Sequence, residues 1–137
     1  MSEEAVTMIT AERARELLDG IAGGWTRARV DLLTAGFHEA IVFQETPFSA
    51  PVNGIEAVRE WASDIPYQQS ETKFTVGEVY LAGPWFSTEF RLVFRRRKTG
   101  EWVDARGALF AETDGNLITE LRMYWHRWNG GRETSRS

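Results

Sequence analysis

The chain has 137 residues, of which 42% are apolar and 26% charged, with six Trp, eight Phe and a net charge of −4. That composition and length suit a single folded domain around one core and exclude a disordered chain. The negative balance argues against a sequence-independent grip on nucleic-acid phosphates. The absence of Cys excludes disulfides and thiolate metal sites, and two His, at 38 and 126, are too few for a His-rich metal centre.

No apolar run approaches the ~20 residues of a membrane span. The acidic start, MSEEAVTMIT, lacks the basic and apolar regions of a signal peptide. The expectation is a soluble cytoplasmic protein with no membrane or nucleic-acid partner. Residues 1–9 read as an N-terminal extension, 10–128 as the domain, and 129–137, NGGRETSRS, as a disordered tail.

In chain order, Thr10 is placed to cap a first helix, with Glu12 in its first turn. Ala14, Leu17, Leu18 and Ile21 then recur at helical spacing, and Gly23-Gly24 reads as the end. A second helix is predicted over 26–35, with Gly36 as its stop. A short strand, 41–46, runs up to Pro47. Asn53 with Glu56 resembles a capping box for a third helix, striped by Ile55, Val58, Ala62 and Ile65 and closed by Pro66. Residues 73–81 alternate as a strand.

The rest is a meander. Residues 85–98, 101–113 and 116–128 read as three antiparallel strands joined by turns at Gly100 and Gly115. They are long against the usual five to six residues or so, and long strands curve and can enclose a pocket. Period-two alternation puts Phe86, Thr88, Phe90, Leu92 and Phe94 on one face, with Arg91, Val93 and Arg95 on the other. The basic run 95–98 reads as a solvated hairpin tip. Helices followed by strands imply an α+β domain with its helices on one face of an antiparallel sheet.

The segments GFHEAIVFQETPF, NGIEAVREW and TDGNLITELRMYWH, in this order and spacing, resemble the SnoaL-like branch of the nuclear transport factor 2-like superfamily. The resemblance covers roughly residues 10–128. It implies a cone-shaped, curved antiparallel sheet wrapped around three N-terminal helices, with a deep apolar pocket. Steroid isomerases, limonene epoxide hydrolases, polyketide cyclases, dehydratases and non-catalytic binding modules share this fold, so function rests on the site.

Carried over position by position, the isomerase base matches Glu45. Its second acid falls at Gly107 and its Tyr donor near Ile21. The hydrolase Arg and Asp positions read Phe90, Leu92 and Met123, and the cyclase acid also falls near Met123. One acid of these sets is therefore present.

By the same parity the pocket is expected to take Phe43, Phe86, Thr88, Phe90, Leu92, Ala105, Gly107, Leu109, Leu121, Met123 and Trp125 from the strands. Trp25, Phe37, Trp61 and Tyr67 join them from the helical side. A carboxylate facing such a lining loses water, which favours its neutral form and suits it to proton transfer near neutral pH. Glu45 is the candidate acid or base, with His38 to orient it or relay a proton. A solvent-facing strand-end carboxylate is the competing reading.

Two functions follow. The first is a cofactor-independent isomerase, dehydratase or cyclase acting on a small hydrophobic ring-bearing molecule. The second is a non-catalytic module that binds such a molecule. The opposite sheet face carries Trp102, Phe110 and Tyr124 among charged residues, too apolar to face water, and predicts a homodimer through that face.

Overall fold

The computed structural model describes residues 7–128. The tail expected at 129–137 and the first six residues of the expected extension lie outside the described residues. Helix α1 (Ala11–Arg27) begins where Thr10 Oγ1 accepts the Arg13 N–H at 3.0 Å. Its buried stripe is Ala14, Leu17, Leu18, Ile21, Gly24 and Trp25. Ile9, just before the cap, is also buried, and its N–H donates to the Gly83 carbonyl at 3.0 Å.

The helix does not stop at Gly23-Gly24. It runs on to Arg27 and ends at Ala28, whose φ of 56° is left-handed. Gly24 serves contact rather than termination, since a Cβ there would overlap the Leu33 backbone. Helix α2 (Val30–Leu33) is thus a single turn packed close on α1, shorter than the expected 26–35 because α1 takes its first residues.

Strand β1 (Phe37–Gln44) starts four residues earlier than the alternation suggests and pairs with the short β2 (Val52–Asn53). Helix α3 (Ile55–Ala62) follows Gly54, and no side chain caps it. The box expected from Asn53 and Glu56 does not form, and Glu56 instead accepts from Arg59 at 3.2 Å. Pro66 does not close this helix. It sits in the first turn of a separate one, α4 (Ile65–Gln68), where a missing N–H costs nothing. The strand expected at 73–81 divides into β3 (Gln69–Val76) and β4 (Tyr80–Ala82).

The meander forms as read: β5 (Trp85–Arg96), β6 (Trp102–Thr113) and β7 (Ile118–Arg127). Gly100 and Gly115 make the turns at φ of 74° and 94°. The seven-stranded curved sheet runs β2-β1-β7-β6-β5-β3, with β4 also on β5, and wraps the helices as an α+β cone. It is not wholly antiparallel, because β1 pairs parallel with β7. The helical crossover between β1 and the later strands makes that direction possible.

Burial alternates along the meander. Phe86, Thr88, Phe90, Leu92 and Phe94 are buried on β5, and Val103, Ala105, Leu109 and Ala111 on β6. Gly107 stands opposite Trp125. A Cβ at Gly107 would overlap the Tyr124 carbonyl and come within 2.6 Å of the Trp125 Cα. The glycine therefore opens no room in a pocket. It lets β7 lie close against β6.

The outer face is mixed. Trp102, Phe110 and Tyr124 are 50%, 41% and 39% exposed in the single chain. Phe110 and Tyr124 meet edge to face with centroids 5.8 Å apart, and the Arg95 guanidinium lies 5.0 Å over Trp102. Arg91 forks onto Asp104 at 3.1 and 2.9 Å, and Arg106 reaches the same carboxylate at 3.3 and 3.1 Å. These hydrogen bonds, led by Arg91, hold the Asp104 carboxyl down at about 2.

Gly107→Ala should destabilise the fold by about 2 kcal/mol, the scale of overpacking against unyielding backbone. Thermal unfolding of the variant beside the wild type measures this, and an unchanged midpoint would show that β6 and β7 separate freely.

Candidate functional site

The concave face is filled at its closed end and open at the other. The apolar stripe of α1 joins Phe37, Phe43, Phe86, Leu109 and Leu121 in one buried cluster. At the other end the one-turn α4 leaves space between the sheet and the helices. A cavity of about 360 Å³ remains there, within the size range of small-molecule sites.

Alternate residues of the sheet build one wall: Phe90, Leu92, Phe94 and Arg96 from β5, Val103 and Ala105 from β6, and Met123, Trp125 and Arg127 from β7. Trp25, Trp61, Asp64, Ile65, Gln68 and Gln69 build the facing wall, and Glu45 joins from the end of β1. Aromatic contacts fix the lining. Trp25 meets Trp61 edge-on at 5.9 Å and stacks on Phe74 at 5.1 Å, which in turn stacks on Phe90 at 5.2 Å. Phe43 supports Trp61 from behind at 4.8 Å.

Glu45 lies one residue beyond β1. The parallel register Phe43↔Leu121 and Gln44↔Arg122 carries the chain alongside β7. There the Trp125 indole N–H donates to the Glu45 carbonyl at 2.9 Å. The side chain faces the cavity half-buried, and loss of water raises its pKa above the ordinary carboxylate value. The nearby Trp61 indole N–H opposes part of that rise.

Of the residues expected at the site, Glu45, Trp25, Trp61, Phe90, Leu92, Ala105, Met123 and Trp125 line this cavity together. The others stand elsewhere. Phe37, Phe43, Phe86, Leu109 and Leu121 belong to the packed core, because α1 fills the cone at their level. Thr88 is buried with its hydroxyl donated to the Glu78 carbonyl at 2.7 Å. Gly107 is the β6–β7 contact. Tyr67 is 78% exposed, since α4 turns it outward.

His38 is not brought to Glu45. It stands at the opposite end of β1, about 20 Å away at the usual rise per strand residue. There its Nδ1 accepts the Ala40 N–H at 2.9 Å, and its charge helps lower the pKa of Asp114, which is set mainly by the Leu117 and Asn116 N–H groups. The indole N–H of Trp25 is spent on Gln69 Oε1 at 3.2 Å.

The sequence reading missed Arg96, Arg127, Asp64, Ile65, Gln68 and Gln69. For the two arginines the signal was present. Residue 96 continues the inward parity of 90, 92 and 94, and 127 continues that of 123 and 125. Reading 95–98 as one solvated run hid the first of these. The other four depend on the break between α3 and α4, which one merged helix conceals. Among the described residues, no group of three or more His, Asp or Glu side chains is gathered to hold a metal ion. No helix among them is long and apolar enough to cross a membrane.

The sequence profile of the SnoaL-like domain matches residues 15–121, and the chain belongs to that family. No curated protein sequence matches it. Among solved structures, a Bacillus subtilis protein named provisionally as an isomerase is 24% identical, with a TM-score of 0.74, over 84% of this chain and 87% of that one. A Catenulispora acidiphila protein with a ketosteroid isomerase-like fold, solved with trimethylamine, is 19% identical at a TM-score of 0.72. That match covers 80% of this chain and 84% of that one. The epoxide hydrolase/cyclase-like enzyme SalBIII, tied to pyran ring formation in salinomycin, is 15% identical at 0.72, over 84% and 91%. At these identities the likeness establishes the fold.

Glu45 should titrate above its ordinary value in a carboxyl-resolved NMR experiment, and Trp61→Phe, which removes the N–H, should raise it further. Because the folded pKa exceeds the unfolded one, the folded state holds the proton more tightly. The associated stability is full below the unfolded value of 4.5 and is lost as pH rises through the folded value. Glu45→Gln should therefore leave the fold at pH 7 as stable as the wild type or more so. An unshifted Glu45 resonance would show a solvated carboxylate.

Proposed function

We propose that the cavity takes a small, largely apolar, ring-bearing molecule and that Glu45 moves a proton on it. The observation that carries this reading is one carboxyl, raised by burial, facing a wall of Phe90, Leu92, Val103, Met123 and Trp125. As carboxylate, Glu45 can take a proton from carbon beside a carbonyl. As acid, it can return that proton to another carbon or to a departing hydroxyl. Isomerisation, dehydration and ring closure all fit that cycle, and none of the three calls on a cofactor.

A non-catalytic binding role is the second reading, and a specific observation favours it. Donors aimed at a developing oxyanion often supply the largest single rate effect. Trp25 has spent its N–H on Gln69, and Ile21 and Gly107 stand where the isomerase donors fall.

Cyclic ketones and hydroxyketones incubated with the protein separate the two readings. Under the catalytic one, Glu45→Gln should lower turnover by about 10²- to 10⁴-fold with an unchanged melting temperature. Full activity in that variant sinks the mechanism. Ligands that bind and are returned unchanged after long incubation support the binding module.

We further propose that the outer face pairs with a second copy of this chain. Phe110 and Tyr124 form an apolar pair towards one end of this face, Trp102 stands at the other end of β6, and the Arg91, Asp104 and Arg106 cluster lies between them. A standard interface of about 1,600 Å² would cover them, and large aromatics are the usual anchors of such contacts. Sedimentation should give a dimer at micromolar concentration and a monomer for Trp102→Glu. A wild-type monomer there overturns the pairing.

A further inference from the structure

The mouth of the cavity carries a charge arrangement that the proton-transfer chemistry does not use. Arg96 at the end of β5 and Arg127 at the end of β7 both line the cavity. Glu101, one residue before β6, lies between their strands. Arg127 Nη2 donates to Glu101 Oε2 at 3.0 Å, and Arg96 Nε stands 3.4 Å from Glu101 Oε1. One carboxylate thus serves two guanidiniums, each with five N–H donors.

Arg127 Nε is buried and has no hydrogen-bond partner among the described residues. Such an atom carries a desolvation cost that a bound acceptor would relieve. Glu101 itself is 53% exposed, so it can yield its place and remain hydrated.

We propose that Arg127 and Arg96 recognise a carboxylate on the ring-bearing ligand, with Glu101 holding the two guanidiniums in place until the ligand displaces it. This rests on reading the cavity as the binding site. The apolar wall of Phe90, Leu92, Phe94 and Val103 would receive the ring, and the planar guanidinium fork matches a carboxylate. Glu45 and Asp64 also face the cavity and oppose a doubly charged group, which favours a monocarboxylate over a phosphate. The charged end then has one place to go, the mouth. The ring is left at depth beside Glu45.

Calorimetry of the full chain with 1-naphthoate, its methyl ester and inorganic phosphate tests this. The acid should bind at least about tenfold more tightly than the ester, the scale of one charge-assisted hydrogen bond. Arg127→Met keeps the apolar stem. It should weaken naphthoate about tenfold and leave the ester unchanged, with Arg96→Met doing the same to a smaller degree. Glu101→Gln removes the competitor and should tighten the acid several-fold without affecting the ester.

Equal affinity for acid and ester in the wild type overturns the carboxylate assignment and leaves the cavity reading standing. So does an Arg127→Met loss that falls equally on both. Phosphate displacing naphthoate at equal concentration would make the mouth a general anion site and also overturn it. Failure of both aromatic probes to bind overturns this inference together with the cavity reading.

Discussion

The site depends on how closely β7 approaches its neighbours. Gly107 has no side chain, so the backbone of β7 at Tyr124 and Trp125 can lie where a Cβ would otherwise stand. Trp125 is then held over the end of β1, and its indole N–H satisfies the Glu45 carbonyl. That bond matters because Glu45 lies past the last strand residue, where the sheet ladder no longer serves its backbone. A glycine on β6 thus bears on where the backbone just past β1 is held. No short-range feature of the sequence around Glu45 carries that information.

The same sheet gives two carboxyl groups opposite fates. On the outer face Asp104 is met by Arg91 and Arg106, and its pKa falls. On the inner face Glu45 meets aromatic and aliphatic walls and one indole N–H, and its pKa rises. Charged partners stabilise the ionised form of the first. Loss of water without a cationic partner disfavours that form in the second. The outer ion pairs are largely solvated and contribute modestly to stability. Ionising the inner acid at neutral pH costs some stability.

The cavity sets an aliphatic and aromatic wall from β5–β7 against polar groups supplied by Glu45, Asp64, Gln68 and Gln69. Trp25, Trp61, Phe74 and Phe90 form a continuous chain of edge-on and stacked aromatic contacts along the inner walls. Arg96, Glu101 and Arg127 close the mouth in an internally paired group.

By itself the sequence determined the α+β class, the long β5–β7 meander and the face parity of its strands. Alternation of side chains is a local property of extended backbone, so Phe90 and Leu92 share a wall with Phe94 whatever they pack against. The resemblance to SnoaL-like proteins put Glu45 at the position of the isomerase base, and that residue lines the cavity. The tertiary structure decided the rest. Helix α1 fills the cone at Phe86, Leu109 and Leu121, so these are core, while the same parity a few residues along lines a cavity. The extension of β1 back to Phe37 puts His38 at the end of the strand away from Glu45. The break between α3 and α4 brings Asp64 and Gln68 to the cavity, and the ends of β5 and β7 bring Arg96 and Arg127 to its mouth. Periodicity fixes which way a side chain points. Only the packing of distant segments fixes whether another side chain, a solvent surface or an empty space lies in front of it.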